Sequence, residues 1–87
     1  MKTFYFLIQD SRGGSRAGTI QAASMRGAKT QATRELEAEG YGHVVTVTDP
    51  RTKETCDRPY GYEWDHVCPC DRDSIIRRVC KAAKRAA

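Results

Sequence analysis

The spacing of apolar positions changes period three times along the chain, from two to 3.6, back to two and again to 3.6. Thr3-Phe-Tyr-Phe-Leu-Ile-Gln9 is aromatic and β-branched, with turn residues after it, and reads as a strand. Phe4, Phe6 and Ile8 share one of its faces and Tyr5 and Leu7 the other, so both faces are apolar and the strand belongs inside a sheet. Asp10 to Ala17 is polar and rich in glycine, a loop able to close a hairpin onto a second, half-apolar strand over Thr19–Ala23. Its length, two glycines and Arg12 and Arg16 fit a binding loop as well as a plain hairpin tip.

Ser24 then stands where a hydroxyl can accept from an orphan amide of a first helical turn. Met25, Ala28, Ala32 and Leu36 follow at helical spacing and form one stripe, with Arg26, Thr30, Thr33, Arg34 and Glu37 facing away. Small side chains in that stripe predict a helix lying close on a sheet, ended by Gly40-Tyr-Gly42. His43–Thr48 alternates as another strand, Asp49–Lys53 is a tight turn, and Glu54–Asp57 returns as a short strand. In Arg58–Asp65, extended backbone would put Tyr60, Tyr62 and Trp64 on one face, where they either close one end of the core or form a stacking surface; core packing is preferred. From Asp71, the stripe Ile75, Ile76, Val79, Cys80 and Ala83 marks a second helix with acids at its start and bases at its end, the order that complements a helix dipole.

These elements predict an α+β domain: a small antiparallel sheet of three to four strands with one helix on a face (ββαββ), plus a basic C-terminal helix. The 87 residues form a single domain, with the ββαββ core over 1–57, an aromatic and cysteine-bearing connection over 58–70 and the basic amphipathic helix over 71–87. No run is long enough to span a membrane and Phe4–Ile8 is too short for a secretory signal, so a cytoplasmic location is expected.

Charge changes the picture more than composition does. The net charge is +4, yet residues 1–70 balance nine Lys/Arg against nine Asp/Glu, so the last 17 residues carry the excess. Within the neutral part, Asp10 to Arg34 holds five bases and one acid, followed at once by Glu35, Glu37 and Glu39. Zoned basic charge suits an anionic partner, while a solvated face without a partner is the plain alternative. Arg12, Arg16, Arg26, Lys29 and Arg34 form one candidate binding surface, and Arg77, Arg78, Lys81, Lys84 and Arg85 a second.

Cys56, Cys68, Cys70 and Cys80, with His66, offer donors suited to zinc. Cys68-Pro-Cys70 lacks the two-residue gap of a metal knuckle, and Cys80 sits in an apolar stripe, so thiols without metal are expected and no cofactor is assigned. Neither His43 nor His66 has neighbours that suggest a triad, and Gly13-Gly14 opens no phosphate-binding helix; no enzyme is expected.

Gly18-Thr19, Ile20, Ala22, Ser24, Ala28-Lys29, Ala32 and Glu35, in a chain that begins Met1-Lys2 and carries Tyr5 in its first strand, resemble small phage-encoded anti-CRISPR proteins, in particular a type I-F inhibitor with a strand–strand–helix–strand arrangement. The resemblance covers roughly the first 50 residues, with weaker echoes at Trp64 and Cys68; the Asp10–Ala17 loop and the basic C-terminal helix depart from it. It implies a stoichiometric inhibitor acting in the host cytoplasm, bound to backbone subunits of a type I RNA-guided surveillance complex and obstructing target DNA. Being basic, the protein would not mimic DNA. The alternative is a small basic nucleic-acid-binding accessory protein, and direct DNA or RNA contact stays open under either reading.

Overall fold

The computed structural model describes residues 1–86; Ala87, the last residue of the helix expected over 71–87, lies outside the described residues. The elements in order are β1 (Lys2–Asp10), β2 (Ser15–Ala22), α1 (Met25–Glu39), β3 (His43–Thr48), β4 (Thr55–Pro59), β5 (Asp65–His66) and α2 (Pro69–Ala86). All strand pairings are antiparallel, in the spatial order β2-β1-β3-β4-β5. The fold is therefore α+β as expected, with Asp65–His66 supplying one strand more than the sequence pattern showed.

Strand parity divides the core. On one face Phe4, Phe6 and Ile8 stand beside Ile20, Val47 and Val45, and Ala28, Ala32 and Leu36 of α1 close over them. On the other, Leu7 lies between Ala17 and Thr46, and α2 crosses β2, β1 and β3 with Val79 and Ala83 buried. The C-terminal helix thus belongs to the same domain and makes a third layer, because a sheet apolar on both faces must be covered on both. Thr48 and Thr55, paired in register, are buried and satisfy each other through a 2.7 Å hydroxyl contact.

Ser24 caps α1 by accepting from the Gly27 amide at 3.5 Å, and Gly40, at φ 92°, ends it with its N–H on the Leu36 carbonyl. Other boundaries differ from the sequence pattern. The Asp10–Ala17 loop is a compact turn, since the Asp10 amide donates to the Gly14 carbonyl and the Asp10 carboxylate accepts from the Arg12 amide. Gly13 takes a positive φ there, so pairing resumes at Ser15 opposite Gln9. The expected 58–70 connection contains the end of β4, all of β5 and the first two residues of α2, which starts at Pro69 rather than Asp71 because proline is well suited to the first helical position. Tyr60 and Trp64 pack on the α1-side core, but Tyr62 stays 70% exposed, so the expected row of three aromatics holds for two.

Candidate nucleic-acid interface

The register β1–β3–β4 sets Arg58 beside Val45, two positions along from Cys56, and so on the face that α1 covers. The Arg58 Nη1 donates to Thr33 Oγ1 on α1 at 3.1 Å, and its Nε donates to the Tyr62 carbonyl at 2.6 Å. Trp64 Nε1 donates to the same Thr33 hydroxyl at 3.2 Å. One threonine on α1 therefore meets a guanidinium from β4 and an indole from the segment after it. The Lys29 ammonium lies 5.8 Å from the Trp64 ring centroid, a cation–π distance.

Together Arg26, Lys29, Thr30, Thr33, Arg34, Arg58 and Trp64 line an open groove of about 470 Å³. No carboxylate lines it, and among the described residues none of its four cations forms a salt bridge. Arg58 also borders an adjoining depression with Leu36, Glu37, Tyr60 and Gly61, and Tyr60 meets the 90% exposed Tyr41 edge-on at 6.4 Å between centroids. Past Arg58 the surface therefore carries the carboxylate of Glu37 as well as the edges of Tyr60 and Tyr41.

The five cations expected to form one surface separate into two environments. Arg26, Lys29 and Arg34 share the groove. Arg16 instead reaches Glu35 at 2.5 Å and Glu39 at 2.8 Å, which hold its guanidinium charged and raise its pKa. Its charge is paired at the surface, with the guanidinium 5.9 Å from the Phe6 ring centroid. Arg12 is exposed on the β1–β2 turn, whose Ser11 amide bonds the Gly42 carbonyl beyond the C-terminal end of α1. Neither Arg12 nor Arg16 lines the groove, because antiparallel pairing carries the turn to the end of the sheet opposite Arg26. Arg77, Arg78, Lys81, Lys84 and Arg85 are exposed on α2, against the other face of the sheet. Arg58 was not singled out by sequence reasoning; its alternation with Cys56 along β4 was the available signal.

The cysteines do not converge. Cys56 is fully buried, with its Sγ 3.4 Å from His66 Nδ1; burial pushes its thiol pKa up despite the opposing charge of Lys29. A protonated, inaccessible thiol is a poor nucleophile, whatever its imidazole neighbour. Cys80 is half-buried in α2 and also raised by burial. Cys68, Cys70 and Asp71 bring three donor atoms within 4.8 Å, all exposed. No described helix is long and apolar enough to cross a membrane. No family model matches the chain, no curated protein matches it, and no solved structure matches it.

Proposed function

We propose that this protein is a non-catalytic binding protein that takes a single strand of nucleic acid in the groove between α1 and β4. The carrying observation is the groove itself: Arg26, Lys29, Arg34 and Arg58 face it without a carboxylate, around the fixed ring of Trp64. Four cations track phosphates, and the Trp64 indole offers a face to an unpaired base once the Lys29 ammonium over it moves onto a phosphate. A duplex hides its base faces, so a single strand fits better. Binding of fluorescent single-stranded DNA and RNA, compared with duplexes of the same sequence, tests this. The single strand should bind more tightly, and R26Q/R34Q should weaken it; equal affinity for duplex, or indifference to those substitutions, refutes the reading.

A second reading, inhibition of a type I CRISPR surveillance complex, draws support from two features. The first 48 residues run strand, strand, helix, strand, the order implied by the resemblance. Basic side chains also lie on opposite sides of the body, in the groove and along α2, which suits insertion between components of a protein–nucleic-acid assembly better than holding a free strand. Co-purification with a type I complex and loss of its target-DNA binding would favour this reading. Failure to associate with such complexes would leave free nucleic acid as the partner.

A further inference from the structure

Cys68 and Cys70 flank Pro69, the first residue of α2. Within a helix, residues two apart face different directions, but Cys68 precedes the first helical residue and its side chain is released from that rule. Its carbonyl accepts from the Asp71 amide at 3.0 Å, which turns the chain into the helix and folds the two cysteines together. Both thiols are exposed and free, and their sulfurs lie side by side, within reach of a disulfide bond after a small side-chain rotation.

We infer that Cys68 and Cys70 form a redox-active dithiol that exchanges with low-molecular-weight disulfides and closes reversibly to a Cys68–Cys70 bridge. Cys68 is the attacking sulfur. Cys68 stands just before the first helical residue, where the Cys70 amide turns towards its sulfur and favours the thiolate. The helix N-terminus adds a favourable field for a thiolate. With oxidised glutathione, the Cys68 thiolate attacks one sulfur, the oxidant's S–S bond breaks and one glutathione thiolate leaves. Cys70 loses its proton to solvent and attacks the Cys68 sulfur, expelling the second glutathione thiolate. One disulfide is formed in the protein, and the oxidant is reduced to two glutathione thiols.

The test is oxidation of the reduced protein by oxidised glutathione in chelator-containing buffer, followed by acid quench, denaturation, alkylation and intact-mass and peptide analysis. Of the four thiols, two should become unavailable to alkylation, with the bridge mapped to Cys68 and Cys70 and no glutathione retained. C70S should accumulate glutathione on Cys68, whereas C68S should react several-fold more slowly. Four alkylatable thiols after oxidation, persistent glutathione on both cysteines, or a bridge to Cys56, Cys80 or a second chain overturns the proposal. Equal rates for the two variants overturn the assignment of Cys68 as the attacking sulfur.

Discussion

Removing groove charge should change how binding responds to salt, and the size of the change follows from the number of cations in the groove. If a single strand reaches Arg26, Lys29, Arg34 and Arg58, about four phosphates are neutralised. For single strands, each contributes about −0.7 to the slope of log affinity against log salt, giving about −2.8. Raising salt fourfold, from about 50 to about 200 mM, should then weaken binding about 50-fold. R26Q/R34Q removes two exposed cations that form no salt bridge among the described residues, so the fold should persist. Its slope should fall to about −1.4, and the same salt change should cost about sevenfold. Fluorescence anisotropy of a labelled oligonucleotide over a salt series measures both slopes. R77Q/R78Q/K81Q provides the comparison on α2. An unchanged slope in R26Q/R34Q, or a larger change in the α2 variant, would refute the placement of the strand in the groove.

Stability experiments probe the scaffold that holds the groove. Asp49 and Asp57 titrate in opposite senses. Burial raises Asp49, but hydrogen bonds from the Arg51 side chain and amide outweigh it and leave its pKa below 3.8; its stabilisation is present above the unfolded-state pKa and is lost as pH falls through the folded value. Burial, then the charge of Asp65 opposite it in register, raises Asp57 above 3.8, so its penalty is present at neutral pH and relieved below about pH 4. Denaturant midpoints should therefore fall for D49N and rise for D57N at pH 7, with both differences shrinking in acid; a pH-independent difference contradicts the assignment. In G18A the new methyl would stand 3.0 Å from Phe6 Cε1, on a ring held between the core and Arg16, and should cost about 1 kcal/mol. An unchanged or higher midpoint would show that the ring yields freely. L36A, which empties the largest buried position of α1, should cost about 2–5 kcal/mol in the same assay, and a loss under about 1 kcal/mol would contradict its core role.

Local chemistry made much of this fold readable. Ser24 announced a helix start, Met25, Ala28, Ala32 and Leu36 gave its buried stripe, and the two apolar faces of β1 required cover on both sides. The turn after β1 was less readable, because Asp10 closes it with its own backbone and carboxylate and returns Ser15 to Ala17 to the sheet. The candidate site was the least readable part. Arg58 and Trp64 meet Thr33 across 25 and 31 residues of sequence, through a strand order that no local periodicity encodes. The same holds for Arg16, which counts as a free cation in the sequence and finds Glu35 and Glu39 only after the hairpin is laid beside α1.

Trp64 is the only tryptophan in the chain and lines the groove, so its emission reports directly on occupancy. Titration of the native protein with unlabelled single-stranded oligonucleotide should quench that emission saturably, and added salt should restore it. Oligonucleotide binding that leaves Trp64 emission unchanged would contradict the claim that the groove between α1 and β4 holds the strand.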